Sequence, residues 1–247
     1  IPVEACLASE FRYSEPILGE SSLVIIISQS GETLDSMAAL REAKKRGSKV
    51  LSIVNVMGSS IARESDYVLY TWAGPEIAVA TTKAYTTQMV LLLMFGVYLA
   101  KQLDRMEQEE YMAVTRGLQE LPEKISIVLS DIDHYQKAAS RYFNHNSVFY
   151  IGRNLDYALG LEGSLKLKEI SYIHSESYAA GELKHGTISL ISEGIPVIAI
   201  MTSSSLAEKM ISGIREVASR GARVFTITTK EIAEKFKETT VKGSQFK

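Results

Sequence analysis

The 247-residue sequence predicts an α/β protein of two similar domains, each a parallel sheet flanked by helices and related by internal duplication. Three observations carry this reading. Leu23-Val24-Ile25-Ile26-Ile27 is an unbroken, mostly β-branched apolar run, as expected of a strand buried on both faces of a parallel sheet. A polar turn, a helical stretch that stops at Gly47 and a second apolar run from Lys49 to Val54 complete a βαβ unit. The same order returns later, with Pro196–Met201, a helix over about Leu206–Ser219, and Arg223–Thr228. In both copies about 26 residues separate the strand starts, the spacing of a repeated unit.

The remaining elements follow in order. Met57 to Arg63 reads as a loop with room for one helical turn, and Tyr67 to Thr71 as a third strand. Thr81 to Gln102 has the length and apolar content of a long helix lying against that sheet. Its most apolar part, Met89 to Ala100, has twelve residues where a bilayer needs ~20, so a buried helix is expected and not a membrane span. Charge-rich Asp104–Glu110 and the helical periodicity of Tyr111–Ser140 predict solvated helices tying two halves together. The second half opens with a strand at Ser147–Ile151, the turn Gly152-Arg153-Asn154 and a helix over about Tyr157–Ile173. The resulting domains are 1–103, a helical connection at 104–140, and 141–247. Glu234 to Lys247 is charged and weakly periodic, the pattern of a frayed or truncated end.

Composition bounds the function. At 46% hydrophobic residues the chain can fill one large core or two ordinary ones. Lys+Arg at 27 against Asp+Glu at 29 leaves a formal charge of -2 and no field to hold a polyanion, so nucleic acid is not an expected partner. The single cysteine, Cys6, excludes an internal disulfide and offers no metal cluster; it reads as a small core residue beside Leu7 in a reducing, cytoplasmic compartment. Ile1-Pro2-Val3-Glu4 has neither an initiator Met nor a signal-peptide layout, which suggests a chain cut from something longer.

Two stretches carry chemistry. Ser28-Gln29-Ser30-Gly31-Glu32-Thr33 lies just past the carboxyl end of the first strand and at the start of a helix, where open parallel sheets bind ligands. Hydroxyls and the free N–H groups of a helix N-terminus converge there on an anion, and Gly31 lets the backbone approach closely. A plain helix cap needs only a Ser or Thr with a nearby Glu. This turn has a polar side chain at every position but Gly31, which fits a phosphate monoester better. It lacks the lysine of a Gly-x-x-x-x-Gly-Lys-Ser/Thr loop and the glycines of Gly-x-Gly-x-x-Gly, so neither a nucleotide nor any other cofactor is indicated. The second stretch is Lys166-Leu167-Lys168-Glu169, where Lys166 and Glu169 share a helix face. A carboxylate beside an ammonium suits proton transfer α to a carbonyl, yet on spacing alone a surface ion pair is the better reading.

The polar turn is similar to that of sugar isomerase (SIS) domains, which bind phosphorylated sugars. A longer match is more specific. Leu161–Leu165, Ala73–Ala84 and above all the run Ile170–Gly186 closely resemble the isomerase domain of the glutamine:fructose-6-phosphate amidotransferase family. The resemblance implies two SIS-type domains and binding of fructose 6-phosphate or glucosamine 6-phosphate at a site shared in a homodimer, with a glutaminase domain in the full-length chain. It assigns Ser28, Gln29, Ser30 and Thr33 to the phosphate and Val79 and Thr81 to the sugar; at position 81 the family commonly has Ser. It implies that Glu169 moves the proton between C1 and C2, that Lys166 assists at the substrate oxygens, and that His185 opens the ring, reaching the site of the other subunit. Without the resemblance His185 is equally a helix-end residue, and His174 reads as structural. The family's Cys-Gly-Thr-Ser-type turn and Schiff-base lysine have no counterpart in this sequence, and Lys235, Lys237, Lys242 and Lys247 stand in no matching context. Two other readings remain open: a phosphosugar isomerase or deglycase without a glutaminase partner, and a non-catalytic SIS sensor, which would need the turn but not Glu169.

Overall fold

The computed structural model describes residues 1–236 and 244–246. In chain order its elements are α1 (Ala8–Phe11), β1 (Leu23–Ser28), α2 (Leu34–Lys45), β2 (Lys49–Val54), α3 (Ser60–Glu64), β3 (Tyr67–Tyr70), α4 (Lys83–Gln102), α5 (Gln108–Ser130), α6 (Ile132–Ala139), β4 (Ser147–Gly152), α7 (Leu155–Ser171), β5 (His174–Ala179), β6 (Pro196–Met201), α8 (Ala207–Ser219), β7 (Arg223–Thr228), α9 (Lys230–Lys235) and β8 (Ser244–Phe246). The chain forms two compact units, Ile1–Ser126 and Ile127–Lys247.

Each unit is built on one parallel sheet. The first has the order β1-β2-β3, and the second β5-β4-β6-β7-β8. In the first sheet Leu23 pairs with Lys49 and Ser28 with Val54, so the turns after β1, β2 and β3 emerge at one edge. Leu40, Val50, Val54 and Ile61 fill the core between this sheet and α2 and α3. In the second sheet β4 lies between β5 and β6, which places the reversal of strand order at its carboxyl end. Ile151, Val197, Met210, Ile214 and Val217 are the centre of the second core.

The duplication extends to how the helices stop. After α2, Gly47 takes φ +86 and the N–H of Ser48 reaches back to the carbonyl of Ala43 at 3.1 Å. After α8, Gly221 takes φ +88 and the N–H of Ala222 reaches the carbonyl of Val217 at 3.2 Å. Both are left-handed glycine stops that satisfy a helix-end carbonyl before the next strand begins.

Several expectations need correction. β1 is not buried on both faces: its one strand partner among the described residues is β2, and Leu23 and Ile27 are 45% and 43% exposed. The helix expected to be buried, α4, keeps only Ala84 and Val97 inside, while Met89, Leu93, Met94 and Tyr98 are about half exposed or more. Apolar composition sets a preference for burial, but a face is buried only where a partner covers it. By length and composition α4 is also long enough to cross a bilayer, a test that core helices pass as well. Cys6 is exposed, not a core residue, and so is its neighbour Leu7. The stretch 174–179 is a strand, β5, which the sequence pattern did not announce. Within the expected frayed end, Ser244–Phe246 pairs in parallel with β7 as β8; Lys237 and Lys242 and the rest of 237–243, with Lys247, lie outside the described residues. α5 and α6 carry no buried residue, in line with the solvated helices expected there.

One buried polar contact locks the second sheet at its reversal point. Asp156, 5% exposed in the first turn of α7, accepts from the backbone N–H of Thr202 at 2.9 Å and from its hydroxyl at 2.5 Å. Bonds to a charged acceptor contribute about 1.5–3 kcal/mol each, and a buried donor left without its partner adds a desolvation cost. Asp156→Ala should therefore lower unfolding stability by roughly 2–3 kcal/mol, read as a shifted urea midpoint at constant slope. An unchanged midpoint would contradict this role.

Candidate functional site

The phosphate-type turn starts where β1 ends. Ser28 is buried, and its Oγ accepts from the N–H of Gly31 at 3.1 Å and lies 3.2 Å from Thr33 Oγ1. Ser30 Oγ accepts from the N–H of Glu32 at 3.2 Å. Gly31 sits at φ +67, and a Cβ there would lie 2.1 Å from Ser59 Oγ, so the position admits only glycine in this conformation. Thr33 is the N-cap residue of α2, yet its side chain makes no capping bond. The hydroxyl is turned towards Ser28, which leaves the first N–H groups of α2 without a side-chain acceptor among the described residues, unlike an ordinary cap. The Gln29 side chain has no hydrogen-bond partner among the described residues, while its carbonyl accepts from the N–H of Asn55 at 3.1 Å.

The segment around Val79 and Thr81 belongs to the same unit and links β3 to α4. Val79 is almost fully exposed and Thr81 half-buried. Glu76 folds back to accept from the N–H groups of Thr82 and Ala84 at 3.4 and 3.3 Å, taking the place of a side-chain cap that Thr82 does not supply.

Lys166 and Glu169 lie in the second unit, on α7, and are brought together. The ammonium donates to Glu169 Oε2 at 2.6 Å and stands 3.5 Å from Glu162 Oε1. The Glu169 hydrogen bond, with Glu162 adding to it, holds the Lys166 ammonium above the ordinary lysine range. A lysine pKa raised on folding stabilises the fold below the unfolded value and loses that contribution as pH rises through the folded one. The Lys166 ammonium therefore stays charged at neutral pH. Glu162 is the residue that spacing did not single out, although it stands four positions before Lys166 on the same face. His185 ends a one-turn 3-10 helix, Leu183–His185, with an exposed imidazole that has no hydrogen-bond partner among the described residues. His174 is largely exposed at the start of β5, with Nε2 3.6 Å from Glu176. Among the described residues no group of three or more His, Cys, Asp or Glu could hold a metal ion.

The turn after β6 is the counterpart of the turn after β1, and it too is rich in hydroxyls: Thr202-Ser203-Ser204-Ser205. There the Asp156 carboxylate already takes both donors of Thr202. The second turn carries an internal anion where the first is open.

Comparison with known proteins agrees with this architecture. The profile of the SIS domain matches residues 1–98 and again 141–241. The glutamine–fructose-6-phosphate aminotransferase of Symbiobacterium thermophilum is 56% identical over 224 residues, which are 91% of this chain and 37% of that protein. The chain thus spans little more than a third of the length of this curated relative. Among solved structures, the C-terminal domain of glucosamine-fructose-6-phosphate aminotransferase from Francisella tularensis is 35% identical with a TM-score of 0.94, over 100% of this chain and 69% of that one. Glucosamine-6-phosphate deaminase from Thermotoga maritima is 28% identical with a TM-score of 0.68, over 89% of this chain and 65% of that one.

The geometry at Gly31 gives a direct test. Gly31→Ala introduces a side chain at φ +67 and into Ser59 Oγ, so it should lower stability by about 1–2 kcal/mol and reshape the turn. Gly31→Ala combined with Ser59→Gly removes the clash but not the backbone penalty, and should recover only part of the loss. Full recovery in the double variant, by thermal unfolding, would show that the left-handed backbone is not required.

Proposed function

The chain belongs to the SIS domain family, as the isomerase part of a glutamine–fructose-6-phosphate aminotransferase, and from that premise we propose that it binds fructose 6-phosphate and carries out the isomerising half of glucosamine 6-phosphate synthesis. The observation that carries this reading is the Ser28–Thr33 turn: clustered hydroxyls, a glycine that lets the backbone approach, and a helix N-terminus with no side-chain cap. Charge-assisted hydrogen bonds from such a turn favour a dianionic phosphate. Ser28, Gln29, Ser30 and Thr33 hold the phosphate, and Val79 and Thr81 meet the sugar.

The chemistry falls to α7. Glu169 takes the C1 proton of the opened ketose, or of its imine once ammonia has added at C2. The C–H electron pair then forms the C1=C2 double bond as the C2=O or C2=N π pair moves onto the oxygen or nitrogen, which takes up a proton. Loss of the C1 hydroxyl proton forms a carbonyl at C1 while C2 takes a proton, giving the aldose or, from the imine, the 2-amino aldose. Lys166, 2.6 Å from the Glu169 carboxylate, stabilises negative charge on the substrate oxygens as that pair shifts. His185 opens the sugar ring and works in the partner's site within a homodimer. In the whole protein a glutaminase domain supplies ammonia from glutamine, so that fructose 6-phosphate and glutamine become glucosamine 6-phosphate and glutamate.

Titration calorimetry should show fructose 6-phosphate binding at least a hundredfold more tightly than fructose, because the phosphate contacts contribute several kcal/mol. Equal affinities would sink the reading. Exchange of solvent deuterium into C1 of bound fructose 6-phosphate, followed by NMR, isolates the proton step. In the intact protein Glu169→Gln should slow that exchange by ~10²-fold or more while sugar-phosphate affinity stays within a few-fold. A structural ion pair predicts wild-type exchange with a stability loss of only about 0–1 kcal/mol.

A further inference from the structure

We propose that Asn55 is a positioning residue, fixing the loop that carries Val79 and Thr81 in register with the phosphate turn; this rests on the assignment of those two segments to sugar and phosphate. Asn55 is the first residue past β2, the middle strand of the first sheet, and so stands between the turns that leave β1 and β3. It is bonded to both. Its backbone N–H donates to the carbonyl of Gln29, inside the phosphate turn, at 3.1 Å. Its side chain faces the other way: Oδ1 accepts from Thr71 Oγ1 and from the N–H of Ala73, each at 2.9 Å, and Nδ2 donates to the carbonyl of Gly74 at 2.7 Å.

These side-chain bonds bracket a backbone that would not hold its shape unaided. Trp72, between the bonded residues, has φ +54, a region that non-glycine residues enter only when their surroundings over-determine it, and Gly74 follows at φ +68. Packing supplies little of that constraint. Trp72 is 74% exposed, and its one ring neighbour among the described residues is Tyr70, at 6.0 Å between centroids. Further along, Ile77 and Val79 are 92% and 98% exposed, so the loop has no core of its own. Among the described residues its side-chain anchors are Asn55 at its start and the Glu76 carboxylate on the first N–H groups of α4 at its end, beside the backbone bond from Thr71 N–H to the Val54 carbonyl. Of the two, only Asn55 is also bonded to the phosphate turn. That backbone bond survives any change of the side chain, so substitution should loosen the sugar loop and leave the phosphate turn in place.

The test uses Asn55→Ala and Asn55→Asp in the intact protein, with calorimetry on inorganic phosphate and on fructose 6-phosphate, and amide hydrogen exchange resolved to residues 28–33 and 71–82. Asn55→Ala should weaken fructose 6-phosphate at least tenfold, keep phosphate within twofold of wild type, and speed exchange in 71–82 but not in 28–33. Asn55→Asp keeps the acceptor towards Thr71 and Ala73 but sets an oxygen against the Gly74 carbonyl, so the same pattern should appear at smaller amplitude. Equal weakening of both ligands would overturn the proposal in favour of a general loss of structure, as would faster exchange with fructose 6-phosphate affinity unchanged. If the wild-type protein binds fructose 6-phosphate no better than phosphate, the assignment of the loop to the sugar fails; unchanged exchange in 71–82 instead defeats the role of Asn55 on its own.

Discussion

Backbone pairing at the carboxyl edge of the first sheet constrains everything else in that unit. β1, β2 and β3 are parallel and adjacent in chain order, so each connection must return over the sheet and each strand delivers its turn to the same edge. The ladder does not stop at the last paired residues. Asn55 N–H continues it to the Gln29 carbonyl, Thr71 N–H reaches Val54, and Ile61 N–H, from α3, reaches the carbonyl of Gly31. Glu32 adds a carboxylate bond to the N–H of Ser60 at 2.7 Å, which holds its own pKa below the usual range. The turn after β1 is thus anchored through its main chain and through one exposed side chain. Of its hydroxyls, Ser28 is buried and bonded within the turn, while Ser30 is half-buried and Thr33 exposed, where a ligand can use them.

The two units show how one scaffold can be open in one copy and closed in the other. In both, a parallel strand meets a hydroxyl-rich turn and then a helix that ends on a left-handed glycine. The difference lies in what stands opposite the turn. Asp156, presented by the first turn of α7, occupies the donors of Thr202 in the second unit. An added phosphate there would meet a buried carboxylate and find those donors already taken, at a cost in like-charge repulsion and desolvation. No such carboxylate bonds the hydroxyls of Ser28, Ser30 and Thr33 among the described residues, and Gly31 in place of the corresponding Ser204 gives the close backbone approach. A sequence reading that sees only hydroxyl content would rate the two turns alike.

Much of the fold was legible because its signals are local. The apolar runs at β1, β2, β4, β6 and β7 and the glycines after α2 and α8 each report a strand or a stop without reference to the rest of the chain. β5 was hidden for a physical reason. Its inward residues are Ser175 and Ser177, both buried, because α7 comes too close for larger side chains: a Cβ on Gly160 would lie 2.5 Å from Ser177 Oγ. Ser175 hydroxyl donates to the Ser164 carbonyl at 2.8 Å, so the buried polar atom is satisfied and the strand needs no apolar alternation. The period of two was present, small on the face towards α7 and large on the other, but not in hydrophobicity. The exposure of α4 and of β1 was illegible for the opposite reason, since composition states what a face prefers and not what covers it.

The candidate site was legible only in pieces. Spacing placed Lys166 and Glu169 on one helix face, and the structure brings them within 2.6 Å, but spacing could not choose between a base with its cation and a surface pair. Glu162 bears on that choice. With a carboxylate at 2.6 Å and another at 3.5 Å, Lys166 can turn from Glu169 towards Glu162 and stay paired, so freeing Glu169 does not strand an ammonium that is only about a fifth exposed. An isolated pair would have to break outright to expose its carboxylate. Two anions around one cation on a helix face therefore suit a carboxylate that must exchange its partner for a substrate proton and back, which an ion pair serving stability alone has no need to do.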